Sequence, residues 1–228
     1  ATGRNELTPS RVGPLAEREF RLLFLGRTVS FVGTSFGIIA LAFAVLDLTG
    51  SKADLGYVLA ARTVPLVAFL LVGGIWADRL PRHHVMVGSN LLSGASQTAV
   101  AVLLFAGHAS VWQLAALAAV NGTSSAFFFP ASSGIVPQTV PERLLQQANA
   151  LLRLGLNSSA ILGGAVAGFV VYATSPATGI AIDAVTFFAA AALLAAMRLP
   201  RSLHMESSNF VADLKQQAVA EGVSQRAL

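Results

Sequence analysis

The chain contains no cysteine, which removes disulfide frameworks, iron–sulfur clusters and thiolate zinc sites from consideration. Charge is scarce as well. Asp, Glu, Lys and Arg make up 11% of the 228 residues, where a soluble domain carries roughly 25%. A surface so poor in ions cannot face water over most of its area. The four histidines (His83, His84, His108 and His204) fall in predicted loops, flanks or the tail, so no buried metal site and no cofactor is expected. Enzyme signatures are missing too: there is no Gly-x-Ser-Gly with a helical histidine and no Gly-rich phosphate loop. Asp183 stands alone as a carboxylate inside an apolar run, which excludes a paired-aspartate protease.

What the chain has is hydrophobic length. Its composition is 54% hydrophobic and its mean hydropathy is +0.67. A membrane-crossing helix needs about 20 mostly apolar residues, and six runs qualify: 22–45, 55–76, 85–106, 111–136, 148–172 and 179–197. Breakers separate them, from Asp47 through Lys52, at Pro81, at Gly107-His108, at Pro137 and Pro141, and at Ser175-Pro176. The fold class expected is therefore an all-α membrane protein, with six transmembrane helices in one bundle.

Basic residues set the expected orientation. With the N-terminus inside, the cytoplasmic segments hold Arg4, Arg11, Arg18, Arg21, Arg79, Arg82, Arg143, Arg198, Arg201, Lys215 and Arg226, and the outer loops hold only Lys52. This predicts an N-in, C-in protein of the inner membrane and explains the net charge of +4 without nucleic acid. Tyr57, Trp112 and Tyr172 then fall near the outer interface and Trp76 near the inner one. Three segments follow: a polar cytoplasmic lead-in over 1–20, with no secretory signal pattern; the bundle over 21–200; and a cytoplasmic tail over 201–228. In the tail, Phe210, Val211, Leu214 and Ala218 recur at helical spacing, predicting an amphipathic helix on the inner surface.

The junction of spans two and three reads Gly74-Ile75-Trp76-Ala77-Asp78-Arg79-Leu80-Pro81-Arg82-His83. It resembles the loop signature of the major facilitator superfamily, Gly-x-x-x-Asp-Arg-x-Gly-Arg-Arg. Gly74, Asp78, Arg79 and Arg82 match; Pro81 replaces a glycine and His83 a basic residue. Phe129-Pro130-Ala131 and the stretch from Val136 to Arg143, followed by Gln147 to Leu151, are similar to the branch containing enterobactin-type exporters. So is span one. The resemblance covers about 18–200 and implies the N-terminal six-helix half of a twelve-span exporter, with each half built from two inverted three-helix repeats. The one internal echo in the sequence is Gly33-Thr34-Ser35 against Gly122-Thr123-Ser124.

The resemblance implies proton-linked export of hydrophobic drugs or siderophore-like metabolites by alternating access. The expected partners are the lipid bilayer, a small-molecule substrate, and a second half-transporter or a second copy. A truncated half inactive alone, or a structural or regulatory membrane subunit, are the competing readings. Within the family pattern, Gly74, Asp78, Arg79 and Arg82 form a gate against the other bundle. Read bare, the arginines anchor the loop at headgroups.

Charges inside spans cost roughly 2.5–3.5 kcal/mol on insertion scales, so each needs a purpose. Arg27 is either an interfacial anchor or a cavity residue. Arg62 and Asp183 lie at similar depth, as a packing ion pair or a proton-linked site. Thr34, Asn121 and their hydroxyl-bearing neighbours line a cavity or bond their own helices. Phe127, Phe128 and Phe129 offer a drug-binding wall before Pro130, where a kink is expected. In span five, Gly163, Gly164 and Gly168 are similar to the family's antiporter motif but depart from it at Ser159, Gly164 and Ala167. Close helix packing is the stronger reading.

Overall fold

Gly50 ends the first helix in the left-handed region, at φ 65°, with its N–H donating to the Leu46 carbonyl. Only glycine takes that conformation without steric cost, so the chain reverses within two residues and α2 begins at Lys52. In the computed structural model, residues 13–77 and 81–198 are described, with the side chains of α2 described as far as 70. Six long helices fill them: α1 (Arg18–Thr49), α2 (Lys52–Ala77), α3 (Arg82–Phe105), α4 (Val111–Gly134), α5 (Leu145–Ala173) and α6 (Pro176–Ala195). All six runs expected from hydropathy are helices long and apolar enough to cross a membrane.

The helices overrun several predicted ends. Asp47, Leu48 and Thr49 belong to α1, not to a loop, and α5 starts at Leu145. At 32 residues, α1 is about 48 Å long and exceeds a hydrocarbon core of about 30 Å, so its charged ends reach past the apolar layer. Local chemistry sets the other boundaries. Gly107, at φ 67°, closes α3, with the His108 N–H bonded to the Leu103 carbonyl at 3.0 Å. Ser175 Oγ accepts from the Thr178 N–H, and Pro176 occupies the first turn of α6, where its missing N–H costs nothing. α4 stays helical through Pro130 to Gly134.

Side by side, the helices follow the order α5–α1–α6–α3–α4–α2. Exchanging α1 with α4, α2 with α5 and α3 with α6 maps this order onto itself. That is the packing of two three-helix repeats, although the sequence shows almost no trace of it. The Gly-Thr-Ser echo is not its cause: Gly33 faces Thr186 and Asp183 of α6, whereas Gly122 faces the Arg62 backbone of α2. Packing at one end of the bundle rests on Ala40, Val45, Val58, Val100, Leu114 and Ile180. At the other, basic end, Phe20, Leu23, Met86, Ile135 and Leu194 are fully buried. The bundle is one compact unit through Met197; the predicted tail helix lies outside the described residues.

Candidate functional site

At the basic end, α3 opens with two groups that reach the ends of other helices. The Arg82 guanidinium donates to the carbonyl of Gly134, the last residue of α4. His83 Nε2 lies 2.7 Å from the carbonyl of Leu194 in the last turn of α6. Carbonyls at a helix C-terminus lack intrahelical partners and carry partial negative charge, so cationic or N–H donors are favoured there. A side chain on Gly134 would overlap the Arg82 guanidinium, which makes that glycine part of the arrangement. Gly74 lies in the last turns of α2. Asp78 and Arg79 lie outside the described residues; of the charged residues expected in the gate, Arg82 is described, and its bond to Gly134 lies within this bundle.

Deeper in the bundle, polar groups from five helices meet around one small cavity. Arg62 of α2, Gln97 of α3, Asn121 of α4, Asp183 of α6, and Thr34 and Gly37 of α1 all line it. Its free volume is about 20 Å³ measured to the centre of a water molecule. Arg62 Nε donates to Asn121 Oδ1 at 3.3 Å, and Gln97 Nε2 donates to Asp183 Oδ2. Asp183 is 1% exposed and Asn121 4%, so neither carboxylate nor amide is solvated from outside. The backbone makes room for them: a Cβ on Gly37 would overlap Asp183 and crowd Gln97, and one on Gly33 would overlap Thr186 and crowd Asp183. Arg62 and Asp183, read as candidates for pairing, share this cavity, yet no direct ion pair joins them.

A second cavity of about 40 Å³ adjoins the first through the shared residues Thr34 and Arg62. Ser30, Ser89, Asn90, Ser93 and Ser125 supply its polar wall, and Phe31, Phe128, Phe129 and Phe187 its aromatic wall. Ser30 Oγ donates to Asn90 Oδ1 at 3.1 Å, and Ser93 Oγ to Ser124 Oγ at 3.1 Å. The hydroxyl residues meet both the helix backbone and the cavities. Thr34, Ser124 and Ser125 bond the carbonyl four residues back while Thr34 and Ser125 also face the cavities. Of the three consecutive phenylalanines, Phe128 and Phe129 line the second cavity, and Phe127 turns away to meet Phe69, with ring centroids 6.2 Å apart.

Two groups of candidates lie apart from these cavities. Arg27 lines neither cavity; its Nη1 donates to the Ser132 carbonyl at 3.4 Å and its guanidinium lies 5.8 Å from the Phe31 ring. It ties α1 to α4. The span-five glycines do not act together. Gly163 packs on Ser35 of α1, Gly164 meets only Ile39, at 3.9 Å, and nothing described lies within 4 Å of Gly168. The helical repeat turns Gly168 off the α1 contact. Close approach instead uses Gly155 against Phe24 and Thr28, and Gly179 against Ala40.

The side chains missed in the sequence sit on α3. Ser89, Asn90, Ser93, Ser96 and Gln97 are all buried, and their spacing of three and four places them on one helical face. That periodicity is visible in the letters. Its signal is weak because none of these residues carries charge, and small uncharged polar residues are common in membrane helices.

The chain matches the model of the transmembrane secretion effector family over residues 9–223. It is 30% identical over 188 residues to the uncharacterized MFS-type transporter YfiS of Bacillus subtilis, covering 82% of this chain and 43% of that protein. It is 31% identical over 171 residues to the multidrug efflux pump Tap of Mycolicibacterium fortuitum, covering 72% of this chain and 40% of Tap. With macrolide efflux protein A of Streptococcus pyogenes it shares 25% identity over 183 residues, 80% of this chain and 45% of that protein. The chain thus spans somewhat under half the length of these relatives. Six membrane-length helices, an interior polar cavity and a family match across nearly the whole sequence lead to one assignment: the chain belongs to the transmembrane secretion effector family of major-facilitator (MFS) transporters and is a multi-pass membrane protein.

Proposed function

We propose that this bundle is one half of a secondary-active exporter that moves hydrophobic drugs across the cell membrane by alternating access. The observation that carries the reading is the buried cluster of Arg62, Asn121, Gln97 and Asp183 inside an otherwise apolar bundle. Ionisable side chains at membrane depth are expensive and mark ion or substrate pathways. Replacing a buried polar cluster as a whole by well-packed apolar residues is often neutral or stabilising, so a purely structural bundle has no need of one. The names of two relatives, a macrolide efflux protein and a multidrug efflux pump, support drugs as the cargo. Siderophore-like metabolites remain a second cargo class, on the resemblance to enterobactin-type exporters.

In this reading both termini lie in the cytoplasm, as the crowding of basic residues at one end favours. Residues 21–200 form the half-transporter, and 201–228 an amphipathic tail on the inner surface. Gly74, Asp78, Arg79 and Arg82 form the gate against a second bundle, and that bundle rocks about the membrane midplane. Protons drive export, with Asp183 as the carrier and Arg62 as its counter-charge.

The test is accumulation of a fluorescent dye and of a macrolide in cells expressing the protein that carries this bundle. Expression is expected to lower accumulation, a protonophore to restore it, and Asp183→Asn to abolish export while the protein still reaches the membrane. Equal accumulation with and without the protein, across dyes and macrolides, overturns the reading.

A further inference from the structure

Two buried polar atoms in the first cavity have no hydrogen-bond partner: Asn121 Nδ2 and Asp183 Oδ1. Each belongs to a side chain more than nine-tenths buried, and both side chains line the same cavity. Their chemistry is complementary, since an amide N–H donates and a carboxylate oxygen accepts. An unsatisfied buried donor or acceptor is costly, and native proteins pair such groups or bridge them with water. The other atom of each side chain is already committed, Asn121 Oδ1 to Arg62 and Asp183 Oδ2 to Gln97. The two orphans are thus the inner ends of two separate hydrogen-bonded pairs.

We infer that the cavity is an internal water site, in which one water accepts from Asn121 Nδ2 and donates to Asp183 Oδ1. The free volume of about 20 Å³ suits a single molecule, for which roughly 10–15 Å³ on this measure is enough. The water completes a chain that runs Arg62–Asn121–water–Asp183–Gln97 and ties α2 and α4 to α6 and α3. It also explains why Arg62 and Asp183 share a cavity without touching: their charges are coupled through the amide and the water. Of the other elements around Asp183, α1 contributes Thr34 and two glycines and α3 contributes Gln97, so Arg62 is the counter-charge lining this cavity. The inference rests on bundle geometry and holds whether or not the protein exports drugs.

A double-mutant cycle on thermal unfolding of the detergent-purified protein tests it. Arg62→Gln and Asp183→Asn are each expected to lower Tm, and the double variant to lower it by clearly less than their sum. In an Asn121→Leu background, which fills the cavity and removes the amide, this coupling is expected to fall to the residual through-space attraction of the two charges. Additive effects in the native background overturn the inference, as does coupling of undiminished size in Asn121→Leu, because the bridge then contributes nothing. Radiolytic hydroxyl labelling of the native protein gives a reading free of any variant's folding. Leu41, a buried side chain that lines the cavity, is expected to label well above Leu152 of α5, which is equally buried and lines neither cavity. Equal labelling of the two overturns the water site.

Discussion

The bundle has two kinds of helix. α1, α3, α4 and α6 are stitched together by side-chain hydrogen bonds, among them Ser30 to Asn90, Ser93 to Ser124, Ser96 to the Leu117 carbonyl and Gln97 to Asp183. α2 and α5 stand at the two ends of the packing order, each bonded by side chains to one neighbour, Arg62 of α2 to Asn121 and Ser159 of α5 to Ser35 and Thr28. They leave more of their length unenclosed, with Val64 and Val67 exposed on α2 and Leu154, Ile161, Leu162, Val166 and Phe169 on α5. Apolarity does not separate the two kinds, since α5 is more apolar than α3 yet less enclosed. Lipid tails are as apolar as leucine, so hydropathy cannot say which helix is interior. Small and polar residues can: glycines where backbones approach, and serine, asparagine and glutamine where side chains must find partners.

Substitutions matched between the two regions sharpen that contrast. The largest effect is expected from Gly37→Leu, whose side chain has to displace Asp183 and Gln97. Overpacking of this kind costs about 1–3 kcal/mol or more, and here it also breaks a buried hydrogen bond. Loss of a monodisperse folded peak in size-exclusion chromatography is the expected result, with Gly168→Leu on α5 as the unaffected counterpart. Gln97→Leu should rank next. It strips Asp183 Oδ2 of its donor, a loss of about 1–3 kcal/mol, read as a fall in Tm in detergent. Val166→Ala, on the exposed face of α5, should shift stability by no more than about 0.5 kcal/mol. If Val166→Ala matched Gln97→Leu, the division into stitched and outward-facing helices would be wrong.

The six spans were legible because each needs only a run of apolar residues, a property of composition over a short window. The breakers were legible too, since Gly50, Gly107 and Pro176 act on their own backbone. Arg62, Asn121, Thr34 and Asp183 could be singled out one by one, as polar groups where the surroundings are greasy. Their meeting in one cavity could not, because they come from four helices far apart in sequence and the rotation of each helix is set by its neighbours. Gln97 shows the limit best. It was unremarkable in its own span, and its importance comes only from facing the Asp183 carboxylate.

The amino-acid order alone determined how many times this chain is greasy enough to cross a bilayer and where each crossing turns, because those follow from local hydrophobicity and backbone chemistry. Only the tertiary structure decided which helices lie inside, that α1–α3 and α4–α6 repeat one packing pattern, and that Arg62 and Asp183 share a cavity without touching. Those outcomes depend on close contacts at Gly33, Gly37 and Gly122 between helices distant in sequence, and no local window contains both sides of such a contact.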